Sequence, residues 1–263
     1  MNRWTQIMEL KKTPLIIAIT GKGGVGKTII TTLIAKAIST SYTFKLLLID
    51  ADPTHPHLSK MVKLVPEESL EKLRADLIDN TISKKENVQA IAESIDFKVY
   101  NAIKESKDFS LFSIGQPEGP GCFCPSNALL RKVIESISRD FDVVLIDCEA
   151  GLEQINRMVI KSVDNVIIVT DISLRSVETA YSISQSAKKF TNYRKIGVII
   201  NRVKGDIAKI TDKLKEYDLT AIASIPEDEI LTKFDLEGKP IIDIPNKSAS
   251  YQVIKDNIHR ILE

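Results

Sequence analysis

Residues Gly21-Lys22-Gly23-Gly24-Val25-Gly26-Lys27-Thr28 constrain this chain more tightly than any other stretch. They fit the pattern G-x-x-x-x-G-K-[ST] of a P-loop, and Lys22 places a second lysine directly after the first glycine. The apolar run Leu15-Ile16-Ile17-Ala18-Ile19 precedes the loop, and a helix-like run, Ile29 to Ile38, follows it. Strand, glycine loop and helix in that order give the pattern its physical meaning. Glycines let backbone N–H groups converge on a polyphosphate, and the helix N-terminus adds positive potential. Lys27 is expected on the β- and γ-phosphates, and the Thr28 hydroxyl on Mg²⁺. Gly21, Lys22, Gly23, Gly24, Val25, Gly26 and Ile29 complete the expected nucleotide-binding stretch. A glycine turn packed for structural reasons alone would need neither the lysine nor the hydroxyl. A nucleoside triphosphate is the expected ligand.

The rest of the chain reads as one α/β domain built around that loop. Its 263 residues suffice for a single P-loop domain with a large core. The 36 basic and 35 acidic residues nearly cancel, so bulk charge favours neither nucleic acid nor an anionic membrane as partner. No apolar run is long enough to span a bilayer, and Met1 to Thr13 is too polar for a secretory signal. Three cysteines, an odd number, argue against a disulfide framework. A cytoplasmic location is therefore expected.

Apolar runs at Leu46–Ile49, Phe109–Ile114, Val143–Ile146, Val166–Val169, Ile196–Ile200 and Thr220–Ile225 lack alternation, which marks strands buried on both faces. Helical patterns fall at Thr28–Thr40, Ser126–Ser138, Ser176–Lys189, Ile207–Tyr217 and Lys247–Leu262. Alternation of strands and helices predicts a mostly parallel, doubly wound sheet flanked by helices. Residues 63–108 interrupt it and read as a solvated helical insertion, with amphipathic helices near Glu67–Leu77 and Glu86–Ile95.

Ligands bind such sheets beyond the C-terminal ends of the strands, which selects three further clusters. The second strand ends in Asp50-Ala51-Asp52, followed by Pro53. One carboxylate there can hold Mg²⁺ through a water while the other, assigned to Asp52, orients the attacking water. Asp52 before Pro53 is also a sound helix N-cap signal, and the two readings are compatible. A later strand ends in Asp147-Cys148-Glu149-Ala150-Gly151. An aspartate closing a Val-Val-Leu-Ile run is the Walker B arrangement, aimed at Mg²⁺. Gly151 can approach the γ-phosphate through its N–H, and Cys148 reads as a small buried hydrophobe. Asn201-Arg202 and Ile225-Pro226-Glu227-Asp228 end the last strands and form the expected base pocket. The asparagine amide matches the N6 and N7 edge of adenine. The guanine-reading pattern N-K-x-D is absent, so ATP is favoured over GTP.

Lys22, the Asp50-x-Asp52 pair and the Asp147 loop together resemble the MinD/ParA/nitrogenase-iron-protein group of dimeric ATPases, from about Leu15 onward. The resemblance implies a P-loop NTPase fold of the SIMIBI type and a homodimer. It also implies that Lys22 reaches the partner's nucleotide, as a catalytic group alongside Lys27 and Asp52. Gly115-Gln116-Pro117-Glu118-Gly119-Pro120-Gly121-Cys122-Phe123-Cys124-Pro125-Ser126-Asn127 is similar to the cysteine loop of the CooC-type carbon monoxide dehydrogenase maturation ATPases. That similarity implies a nickel-insertion accessory protein whose C-x-C pair binds metal at the dimer interface. The implied client is a carbon monoxide dehydrogenase or acetyl-CoA synthase. The chain departs from the pattern in carrying Cys148 and an N-terminal extension of about a dozen residues.

The physical case for metal is independent of that resemblance. Thiolates at Cys122 and Cys124 half-fill a tetrahedral site, and a two-fold axis would supply the other two. Zn²⁺ fits a closed thiolate site best, whereas Ni²⁺ prefers square-planar sulfur. An ATP-gated iron–sulfur electron donor is a second reading, since four cysteines across a dimer can also bridge a cluster. A MinD/ParA-like positioning ATPase is a third. The C-terminal apolar stripe through Tyr251, Val253, Ile254, Ile258, Ile261 and Leu262 is, however, expected to dock on the sheet rather than on a membrane.

Overall fold

Near-continuous Val, Ile and Leu in the strand segments leave both faces apolar, and the chain answers by covering each face with helices. The computed structural model describes residues 13–52, 57–66, 69, 72, 99–114, 135, 137–148 and 163–263. Within them lie strands β1 (Leu15–Gly21), β2 (Leu46–Ala51), β3 (Lys104–Glu105), β4 (Ser110–Ser113), β5 (Val143–Cys148), β6 (Asn165–Thr170), β7 (Lys195–Val203) and β8 (Ala221–Pro226). The helices are α1 (Lys27–Ser41), α2 (Leu58–Met61), α3 (Leu174–Phe190), α4 (Ala208–Glu216), α5 (Glu229–Leu236) and α6 (Ala249–Leu262).

The strands form one sheet in the order β3-β4-β2-β5-β1-β6-β7-β8. Every pairing is parallel except β3 with β4, which is antiparallel. β1 lies between β5 and β6; the chain runs from it to β2 on one side, returns with β5 to fill the gap, and then winds outward through β6, β7 and β8 on the other. A crevice therefore opens at its C-terminal end, where the glycine loop begins.

The strand periodicity of two sorts side chains onto the two faces. Ile17 and Ile19 of β1 join Ile30, Leu33 and Ile34 of α1 and Ile254 and Ile258 of α6 in one core. Ala18 of β1 faces the other way, with Val177 and Ile183 of α3 and Leu214 of α4. The doubly wound α/β reading is the observed fold.

The C-terminal stripe docks as expected. Tyr251, Ile254, Ile258, Ile261 and Leu262 are all buried, and α6 packs against α1 and β8. Fully burying each aliphatic side chain contributes about 1.5–3 kcal/mol, so this helix is anchored by its apolar face. Its last carbonyls, which have no helical partner, are met from the sheet. Asn165 Nδ2 donates to Ile261 O at 2.8 Å, Arg194 to Glu263 O at 2.8 Å, and Lys195 Nζ to Arg260 O at 3.2 Å. Two of these donors are cations at a helix C-terminus, the end they favour.

Three short elements lie outside the strand and helix runs expected from the sequence. β3 consists of two charged residues, which carry no apolar signal. α2 is a single turn. α5 has no fully buried residue, but Ile230, Leu231 and Phe234 pack half-buried against the core and Asp228 caps it, as described below. Of the insertion at 63–108, residues 63–66, 69, 72 and 99–108 are described, and both predicted helices lie almost wholly outside the described residues, as does most of Ser126–Ser138.

Candidate nucleotide site

The glycine loop joins β1 to α1 with a backbone only glycine adopts readily. Gly21 has φ 150°, and a Cβ there would lie 2.2 Å from Val169 O of the neighbouring strand. Gly26 has φ 93°, and a Cβ there would meet Asn201 Nδ2 at 2.7 Å. Gly26 is also the N-cap of α1 and provides no side-chain cap, which leaves the first N–H groups of a 15-residue helix facing the loop. Lys22, Gly23 and Gly24 are exposed, while Val25 is buried as the loop's anchor. Lys27 Nζ folds back to Lys22 O at 3.3 Å, so its ammonium sits over the loop where phosphates are expected.

Two carboxylates face that loop from adjacent strands, in register. Asp50 on β2 pairs with Asp147 on β5, and they are 1% and 2% exposed. Asp147 Oδ1 accepts the Thr31 hydroxyl at 3.0 Å, and Thr28 is a further partner. Asp50 accepts the N–H of Asp52 at 3.2 Å and that of Leu58 at 3.2 Å. Burial, reinforced by the charge of Asp147, pushes the Asp50 carboxyl up to about 7 despite those bonds. Burial pushes Asp147 up to about 6, against the Thr28 and Thr31 hydroxyls and the Lys27 charge. Two desolvated carboxylates a strand apart, only partly offset by Lys27, form a donor set for a hard divalent cation. With Thr28, these residues fit Mg²⁺.

The Asp50–Leu58 bond also places the cap of α2. That helix begins after His57, which makes no side-chain cap bond, and Asp50 rather than Asp52 satisfies its first amide. Asp52 remains beside the site, half-buried at the strand end.

At the ends of β7 and β8 a groove of about 1050 Å³ opens beside the loop, lined by Ile29, Asn201, Arg202, Pro226, Glu227 and Leu231 among others. Asn201 Nδ2 donates to Val25 O at 2.8 Å, and Arg202 donates to Gly24 O at 3.1 Å. Arg202 is left-handed, with φ 56°. Ile225 is fully buried in the core beneath the groove. The floor is held by Asp228, which is 7% exposed. Its Oδ1 accepts the N–H groups of Ile230 and Leu231, capping α5. Its Oδ2 accepts the Ser248 hydroxyl at 2.5 Å and the Ser250 N–H at 2.9 Å, tying in the start of α6.

Comparison with known proteins decides the family. Residues 16–241 match the CobQ/CobB/MinD/ParA nucleotide binding domain. The chain belongs to that family. An uncharacterized ATP-binding protein of Methanocaldococcus jannaschii is 33% identical over 253 residues, covering 94% of this chain and 98% of that protein. The carbon monoxide dehydrogenase accessory protein CooC of Rhodospirillum rubrum is 30% identical over 241 residues, 87% of this chain and 89% of that protein. Among solved structures, the Pyrococcus furiosus cell division ATPase MinD superposes with a TM-score of 0.69 at 23% identity, over 95% of this chain and 98% of that one.

For a nucleotide-binding domain of this family, the residues from Gly21 to Ile29 converge with Asp50, Asp52 and Asp147 at one crevice. Asn201, Arg202, Pro226 and Glu227 stand at its side. Gly151, Cys122 and Cys124 lie outside the described residues. Cys148 is the buried hydrophobe its pattern implied: it is 3% exposed, its thiol points to Ile146 O at 3.5 Å, and burial holds its pKa well above the usual range. Thr31 was missed by sequence reasoning, and Asp228 was read only as part of the strand end beside the base pocket. Thr31 is one helical turn past Thr28 and shares its face, a spacing that could have flagged it. Asp228 precedes Glu229-Ile230-Leu231 as an ordinary cap signal, but its bonds to Ser248 and Ser250 span about twenty residues and leave no local trace.

Proposed function

We propose that this chain binds Mg²⁺-ATP and hydrolyses it, cycling between a nucleotide-tightened homodimer and a looser form. In this reading the cycle serves nickel delivery to a carbon monoxide dehydrogenase or acetyl-CoA synthase. The observation that carries the hydrolytic part is the in-register pair Asp50 and Asp147, buried against the glycine loop. Thr28, Asp50 and Asp147 would hold Mg²⁺, which supplies charge neutralisation at the phosphate oxygens. The glycine-loop N–H groups and Lys27 bind and orient the triphosphate. Asp52 positions a water for attack on the γ-phosphorus, breaking its bond to the bridging oxygen and releasing ADP and phosphate. Lys22 is exposed and makes no described side-chain contact, which suits a group that acts on a partner's nucleotide.

Delivery of metal is supported by the Cys122-Phe123-Cys124 sequence and by the 30% identity to an accessory protein of carbon monoxide dehydrogenase. Thiolates from two chains would complete a four-sulfur site, holding either Zn²⁺ or Ni²⁺. The competing reading, a MinD-like positioning ATPase, draws on the shared fold. In that reading α6 would not be the membrane-binding element, because its apolar face is already buried against α1 and β8.

The test is titration of the purified protein with Ni²⁺ and with Zn²⁺, with and without ATP. About one ion per two chains, gained with ATP and lost in Cys122→Ser/Cys124→Ser, is the expected result. Unchanged metal stoichiometry in the double variant would end the delivery reading while leaving the ATPase reading intact.

A further inference from the structure

Asn201 and Arg202 are consecutive residues of one strand, so in regular β geometry their side chains would point to opposite faces. Here both reach the same loop. Asn201 donates to Val25 O and Arg202 to Gly24 O. Two local departures make this possible. The pairing of β7 with β8 loses register between Ile200 and Val203, and Arg202 takes up the left-handed conformation at φ 56°. A register break beside a site commonly re-aims a side chain, and a long side chain at positive φ persists only where its surroundings hold it.

We infer that the Asn201–Arg202 corner is a positioning device for the phosphate loop, distinct from the base-reading role its sequence suggests. This inference rests on the nucleotide-binding part of the proposed function. The two carbonyls it grips belong to successive loop residues, and a loop carbonyl drawn outward to a side chain is kept away from an incoming phosphate oxygen. Their N–H groups are then free to face the anion. The grip on Val25 is buried, with Asn201 only 3% exposed, and it lies so close to Gly26 that a Cβ there would meet the amide nitrogen at 2.7 Å. One N–H of the Asn201 amide is therefore already committed to the loop. The corner shapes the phosphate site and walls the adjacent groove with the same two residues.

A ligand without a base separates positioning from base reading. Binding of Mg²⁺-tripolyphosphate and of Mg²⁺-ATP is measured by calorimetry for the wild type, Asn201→Ala and Arg202→Lys. Loss of a buried hydrogen bond of this kind is expected to weaken both ligands alike, by about tenfold in Asn201→Ala and less in Arg202→Lys. Amide hydrogen exchange at residues 22–26 of the nucleotide-free protein should quicken in the same variants. Weakened ATP binding with unchanged tripolyphosphate binding would overturn the inference and leave Asn201 a reader of the base. If Asn201→Ala does not fold, Arg202→Lys carries the comparison, since its side chain is exposed and its one hydrogen bond to the loop is that to Gly24 O. A wild type that binds tripolyphosphate in a corner-dependent way but hydrolyses no ATP would defeat the hydrolytic reading and leave the positioning role standing. A wild type that binds neither ligand would defeat both.

Discussion

Two sets of buried aspartates lie at the C-terminal edge of the same sheet, and their surroundings drive them in opposite directions. Asp228, after β8, meets two N–H donors on one oxygen and a hydroxyl and an N–H on the other. Burial alone would raise its carboxyl, but those bonds outweigh it and hold the group below the usual carboxylate range. Asp50 and Asp147, in β2 and β5, are more deeply buried, at 1% and 2% exposed, and burial wins there and raises both. Full satisfaction marks Asp228 as a structural staple that joins β8, α5 and α6. Desolvation only partly offset by hydrogen bonds marks the Asp50–Asp147 pair as a candidate cation site. Residue type does not separate the two roles; depth and partners do.

Removing the cation already present on the functional side should have the largest effect. Lys27→Ala is expected to lower ATP hydrolysis at least about 100-fold, with circular dichroism of the folded state unchanged. A near-normal rate of phosphate release in that variant would erase the functional half of the contrast. On the structural side, Asp228→Ala leaves four donors around the caps of α5 and α6 without their acceptor. A loss of about 2–4 kcal/mol in urea unfolding is expected. An effect below about 0.5 kcal/mol would mean that Asp228 is no staple.

Acid sharpens the same contrast. Because the folded carboxyl of Asp228 titrates below its unfolded value of about 4, its contribution is whole above that value and is lost as pH falls through the lower, folded one. The stability gap between wild type and Asp228→Asn should therefore be widest at neutral pH and narrow in acid. A gap that widens in acid would reverse the assigned shift. The smallest effect is expected where charge meets an exposed helix end. Arg194→Ala removes one bond to the last carbonyl of α6 and should cost about 0.3–1 kcal/mol by thermal melting.

Legibility in the sequence followed the range over which each signal acts. The strand, glycine loop and helix from Leu15 to Ile38 are local, and so are the Val-Ile-Leu runs that became β5, β6 and β7. Each could be read from neighbours alone. The stripe on α6 was likewise visible at helical spacing, and it docks where an apolar face must. α5 carries Ile230, Leu231 and Phe234 packed half-buried against the core, but the bonds of its cap Asp228 to residues 248 and 250 lie beyond any local window of sequence. Asn201 was legible as a polar residue at a strand end, but its grip on Val25 crosses 176 positions. The base-pocket reading saw the residue and not its partner.

The contrast between the two aspartate sites rests most directly on Asp147. Steady-state phosphate release at saturating Mg²⁺-ATP, measured for wild type and Asp147→Asn alongside a melting curve for each, tests it. Asparagine keeps the side-chain volume and an acceptor for Thr31 while removing the buried charge. A fall in rate of about 10²–10³-fold, with a melting temperature equal to or above that of the wild type, is predicted. A wild-type rate in Asp147→Asn, or a loss of stability like that of Asp228→Ala, would contradict the account.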